Sequence, residues 1–165
     1  MNNKKNILIL NTGGTFSKVY NELTGELIVP RDNNAINKIV SCTKLSSIIV
    51  DGLIYKDSLE IDNNDREKLA TYIINSEFDK IIIVHGTDTI DVTANYLNKK
   101  ISNKKIVLTG AMLPFSINPT EATANLMSGY GFLLNCKRNN IYISMHGLVK
   151  KFNKIKKNKK LGVFQ

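Results

Sequence analysis

The chain has 165 residues, 42% of them hydrophobic, and a formal net charge of +9. That length and apolar content predict one compact domain with its own core and leave no room for a second large one. No apolar run approaches the roughly 20 residues that span a bilayer, and two cysteines, Cys42 and Cys136, are too few for a disulfide framework and read as buried thiols.

Met1–Asn6 lead into a run of only about five apolar-dominated residues, short of a secretory core of about 7–15, so a cytoplasmic protein is expected. Ile7 to Leu10 reads as a buried strand ending in the Gly-rich turn Asn11-Thr12-Gly13-Gly14-Thr15. Residues 16–34 carry Gly25, Pro30 and many polar side chains, which predicts a long loop with a short hairpin at most. A short helix over 35–41 comes next, then a strand from Ile48 to Tyr55 interrupted by Asp51-Gly52. Asp62-Asn63-Asn64-Asp65 supplies helix-start chemistry for a helix from about Asp65 to Ser76. Lys80 to His85 is an almost continuous apolar strand, the pattern of a sheet covered on both faces. A helix from about Ile90 to Asn98, a strand Lys105 to Thr109, a helix Thr120 to Asn135 and a strand Asn140 to Met145 complete the alternation.

The tail from His146 holds Lys150, Lys151, Lys154, Lys156, Lys157, Lys159 and Lys160, seven of the 23 basic residues. The other 16 nearly match the 14 acidic ones, so the body of the molecule is almost neutral. Basicity confined to one segment argues against nucleic-acid binding. Strands alternating with helices predict right-handed βαβ units. The expected fold is α/β, a three-layer flavodoxin-like domain with a mainly parallel sheet. Such sheets form their sites at the carboxyl ends of the strands.

Three strand ends carry unusual residues. Thr12-Gly13-Gly14-Thr15 allows close backbone approach and exposes the Thr15 hydroxyl. It lacks the spacings of nucleotide-binding loops. His85-Gly86-Thr87-Asp88-Thr89 sets a hydroxyl beside a carboxylate just before a helix. That is an N-cap or a clamp for a substrate ammonium. Asp57-Ser58 after the second strand is a turn, a cap or a third part of the same site. His85 reads as a hydrogen-bonded core histidine. His85 and His146 have no partner at metal-ligand spacing, and neither a metal nor a cofactor is expected.

The pair of motifs Thr12–Thr15 and His85–Thr89 resembles the signature of the bacterial-type L-asparaginase/glutaminase family. Thr109-Gly110-Ala111-Met112-Leu113-Pro114 resembles its Gly-Ala-Met-x-Pro loop, and Ser144-Met145 with the following lysines resembles the end of its N-terminal domain. The resemblance implies roles. Thr15 matches a nucleophile, and Tyr20 a tyrosine that activates it, at a shorter spacing than in long-chain members. Ser58 matches the serine that holds the substrate α-carboxylate, with Gly14, Asp57, Leu59, Gly86, Ala111 and Met112 lining the substrate. Thr87 and Asp88 match a second catalytic group. Lys157, reached by counting on from Met145, matches its lysine, with Lys156 and Lys154 as alternates.

Two departures qualify the match. Leu59 stands where long-chain members often carry glutamine, and the family's usual second domain is absent from this sequence. The implied protein is a short-form asparaginase hydrolysing asparagine, and glutamine less well. Its site would be closed in a homodimer or larger homo-oligomer, with no nucleic-acid or membrane partner. The alternatives are another small amide as substrate and a non-catalytic or partner-dependent binding module.

Overall fold

Alternating apolar side chains set the architecture of the chain, whose computed structural model describes residues 7–44 and 47–165. The N-terminal stretch Met1–Asn6 lies outside them. Along β1 (Ile7–Gly13), Leu8 and Leu10 point into one core, and Ile7 and Ile9 into the other. The same division repeats in β5 (Lys80–Val84), with Ile81 and Ile83 against Ile82 and Val84, and in β6 (Lys105–Thr109), with Ile106 and Leu108 against Val107. A sheet apolar on both faces must be covered twice. Helices α2 (Asn63–Asn75) and α3 (Ile90–Lys100) cover the first face through Leu69, Ile73, Ala94 and Leu97. Helices α1 (Asn34–Val40) and α4 (Pro119–Asn135) cover the second through Ile36, Ile39, Leu126 and Leu133. Each of these leucines and isoleucines contributes roughly 1.5–3 kcal/mol on burial.

With β4 (Ile48–Lys56), β7 (Asn140–Met145) and β8 (Leu148–Lys151), the six-stranded sheet has the order β4-β1-β5-β6-β7-β8. All pairs are parallel except β7 with β8. This is the predicted flavodoxin-like topology, and its order reverses at β1, which places the crevice for a ligand between the loops after β1 and β5.

Several local expectations change. Asp51-Gly52 does not interrupt its strand: β4 is an edge strand, pairing Leu10 with Asp51 and Asn11 with Gly52. The Asp51 carboxylate is satisfied there by the Gly52 N–H and the Tyr72 hydroxyl. Residues 16–34 do contain the short hairpin that the sequence allowed, β2 (Val19–Asn21) with β3 (Glu26–Ile28). The cysteines are not buried: Cys42 is exposed and Cys136 half-buried, because each follows a helix end where the chain leaves the core. The lysine-rich tail is also built. It forms antiparallel β8 and then the two-residue strands β9 (Lys157–Asn158) and β10 (Val163–Phe164). Lysines on an edge strand discourage further pairing. No helix among the described residues is long and apolar enough to cross a membrane.

Candidate active site

The three motifs converge because glycines let their backbones touch. Gly14 has φ +77°, and a Cβ added there would overlap the Cα of Gly86. Gly86 in turn faces Ser58, whose Cβ would lie 2.5 Å from an added Cβ. The loops after β1, β5 and β4 are thus stacked in direct contact, an arrangement closed to any residue with a side chain at these positions. Hydrogen bonds lock the stack. The buried Thr12 hydroxyl donates to the Val84 carbonyl at 2.8 Å, and the half-buried Thr89 hydroxyl donates to the Ser58 carbonyl at 2.8 Å.

Thr15 opens a 3-10 turn, Thr15–Ser17, held from below by the fully buried Phe16. Asn11, also fully buried, fixes that turn: its Oδ1 accepts from the Gly13 N–H and the Ser17 hydroxyl, and its Nδ2 donates to Asp32 O and Asn33 Oδ1. The loop after β6 is fastened to the same turn through Phe115 N–H to Phe16 O and Ser116 Oγ to Lys18 O. Two backbone donors of the Gly-rich turn are already used, Gly13 N–H by Asn11 and Gly14 N–H by Lys56 O.

The second group is compact. Lys157 Nζ donates to Thr87 Oγ1 and to Asp88 Oδ1, both at 2.8 Å. The lysine side chain is 14% exposed and that of Asp88 37%. Among Lys154, Lys156 and Lys157, it is the Lys157 ammonium that meets Thr87 and Asp88, whereas Lys154 and Lys156 are exposed. A cavity of about 110 Å³ adjoins the group, lined by Thr87, Asp88, Ile155, Lys157 and Phe164. A larger cleft of about 270 Å³, lined by Asn11, Lys18, Ile36 and Phe115, opens beside the Thr15 turn and does not include this chemistry.

At the third motif, Ser58 is 2% exposed and Asp57 caps a 3-10 turn through the Leu59 N–H. Lys18, three residues after Thr15, pairs with Asp57 at 2.6 Å. Partial burial pushes the Asp57 carboxyl up, but the Lys18 hydrogen bond and the Leu59 N–H outweigh it and leave it below the usual range. The sequence pattern does not reveal Lys18, since a lysine 39 positions from its partner leaves no local signal.

Other expected residues fall at the rim or in the support. Leu59 is 72% exposed and Tyr20 62% exposed, the latter on β2 opposite Leu27. No hydrogen bond brings Tyr20 to Thr15 among the described residues. Ala111 is buried, and the Met112 N–H is bound to Glu121. His85 is a fully buried core histidine as expected. Its Nδ1 donates to the Gly86 carbonyl, which can only accept, so Nε2 accepts from the Thr93 hydroxyl, which accepts from Arg66 Nε. Burial pushes the imidazole down to about 4, against the Gly86 bond and helped by the Arg66 charge. His85 is a neutral prop for the Gly86 peptide. No cluster of metal-ligating side chains occurs among the described residues.

A doubly covered parallel sheet with a hydroxyl–lysine–carboxylate group beside a Thr-bearing glycine turn defines the class of site. The chain belongs to the asparaginase family: the family model described as "Asparaginase, N-terminal" matches residues 6–163. The thermostable L-asparaginase from Thermococcus kodakarensis superposes with a TM-score of 0.84 at 27% identity, over 97% of this chain and 50% of that one. L-asparaginase 2 of Bacillus subtilis (strain 168) is 29% identical over 130 residues, 73% of this chain and 35% of that protein. One component of the glutamyl-tRNA(Gln) amidotransferase of Methanosphaera stadtmanae is 33% identical over 155 residues, 87% of this chain and 34% of that protein. The chain thus spans about a third of the length of these curated relatives.

Proposed function

We propose that the chain carries the reacting half of an amidohydrolase that converts L-asparagine to L-aspartate and ammonia, with Thr15 as nucleophile. The observation that carries this reading is Lys157 held between Thr87 and Asp88. An ammonium kept beside a hydroxyl and a carboxylate, and shielded from water, is suited to stabilising developing charge and relaying a proton. The Thr15 hydroxyl attacks the side-chain amide carbon of the substrate. A tetrahedral intermediate forms, and the C–N bond breaks as the amide nitrogen takes up the proton given up by the Thr15 hydroxyl and leaves as ammonia. Water attack on the resulting Thr15 ester releases aspartate and restores the hydroxyl. With Gly13 and Gly14 N–H already used, the oxyanion donors in this scheme are the N–H groups of Thr15 and of the loop after Gly86. Ser58 and the capped turn around it receive the substrate α-carboxylate, and Asp88 its ammonium.

The glycine stack supports the scheme by joining the Thr15, Gly86 and Ser58 loops. The face is completed in this reading by a second copy of the chain. Exposed Leu59 follows β4, and exposed Leu113 and Ile117 follow β6, on loops at the carboxyl ends of the sheet where a partner would exclude water. Ammonia release from asparagine by the purified chain tests the activity.

A second reading follows from the 33% identity to the amidotransferase component and from exposed Leu59 beside Ser58: the site binds a small amide and turns it over only with a partner chain, or prefers another amide. Stoichiometric asparagine binding without turnover, or turnover of another amide with asparagine inert, favours this second reading over the first.

A further inference from the structure

We propose that His146 is a positioning residue for Lys157, acting through the β9–β10 hairpin; this rests on the catalytic reading of Lys157 given above. Lys157 stands on a strand of two residues paired with another strand of two. A two-stranded hairpin is marginal in water by itself, so something else must hold the ammonium at 2.8 Å from Thr87 and Asp88. Ile155 and Phe164 supply part of the hold by entering the core. The directional part comes from His146.

Antiparallel pairing dictates this contact. Lys156 and Gln165 exchange both backbone hydrogen bonds, which makes Lys157 and Phe164 the next, non-hydrogen-bonded pair. The Phe164 N–H therefore points away from β9, and it donates to His146 Nδ1 at 3.2 Å. The two rings pack edge to face at 5.8 Å. His146 Nε2 lies 3.1 Å from Glu121 Oε1. A carboxylate accepts, so the proton sits on Nε2 and leaves Nδ1 free to accept. The His146 N–H donates to Asn125 Oδ1, whose amide holds the Gly110 carbonyl. The Glu121 carboxylate also takes the Met112 and Leu113 N–H groups. One side chain thus couples the loop after β6 to β10, the partner of the strand that carries Lys157. It does so from a left-handed backbone, φ +52°, which outside glycine is commonest for Asn, Asp and His.

The chemistry selects the test. Asparagine at 146 keeps an acceptor near the place of Nδ1 and tolerates the backbone, whereas leucine keeps bulk and removes the acceptor. Turnover of asparagine is measured on the full chain, together with acylation of Lys157 by a water-soluble succinimidyl ester, read residue by residue by mass spectrometry. In the wild type, Lys157 reacts slowly beside exposed Lys156 and Lys159. His146→Leu is expected to raise Lys157 acylation several-fold and to lower kcat about tenfold or more with KM changed less than about threefold. His146→Asn is expected to restore both. Should His146→Leu not fold, His146→Ala takes its place. Unchanged Lys157 reactivity in the acceptor-less variant overturns the proposal, and so does increased reactivity with undiminished kcat. A wild type without turnover of asparagine overturns the first reading above, and the acylation pattern then decides by itself whether His146 holds the hairpin.

Discussion

His85 shows how one buried side chain supports the site without entering it. Its ring is neutral because burial and Arg66 disfavour the cation, and only the neutral ring can donate to Gly86 O while accepting from Thr93. In the unfolded chain the imidazole titrates near 6.5, and in the folded chain near 4. Between these values the unfolded chain binds a proton that the folded one refuses. The contribution is complete above about pH 6.5 and is lost as the pH falls towards 4, amounting to about 3 kcal/mol. Urea unfolding at pH 7.5 and 5 checks this, and equal midpoints would speak against it. Gly86 is the second residue-scale test: Gly86→Ala drives a methyl against Ser58 and is expected to cost about 1–3 kcal/mol, visible as a lower melting temperature. Both residues were legible as a motif, because two glycines and a Thr-Asp pair after apolar runs are local patterns. Lys18 and His146 were not, since their partners lie 18 to 39 positions away and only the fold brings them together.

Elements were readable in the sequence where burial is uniform. The strands β6 and β7 match their predicted limits because both faces are apolar and the runs end abruptly at polar residues. Helix α2 begins two residues earlier than predicted, since Asp62 and Asp65 form a capping box in which Asp62 is the cap. The tail was opaque because β8 mixes Leu148 and Val149 with two lysines, and two-residue strands carry no periodicity. Lys104 is a further element-scale device. Only 7% exposed, it donates to Ser76 O and Phe78 O and so closes the carboxyl end of α2. Lys104→Met leaves two carbonyls without their donor and is expected to cost about 2 kcal/mol in urea unfolding. A change within error would show that water replaces the ammonium freely.

At the scale of the whole molecule, the parallel strands bring Thr15, Ser58, Thr87 and Asp88 to loops at their carboxyl ends, where Leu59, Leu113 and Ile117 are exposed. A dimer or larger assembly is expected in light scattering coupled to size exclusion, and a monomer at all concentrations would contradict closure by a second copy. The fold class was legible because strand and helix alternate, whereas closure by a second copy, as proposed, leaves no pattern within one chain. The central claim is that Thr15 is the nucleophile of an asparagine-hydrolysing site. It is tested most directly by ammonia release from L-asparagine, wild type against Thr15→Ala. Turnover by the wild type is expected, with a loss of at least about a hundredfold in the variant. Unchanged turnover after Thr15→Ala would contradict the claim.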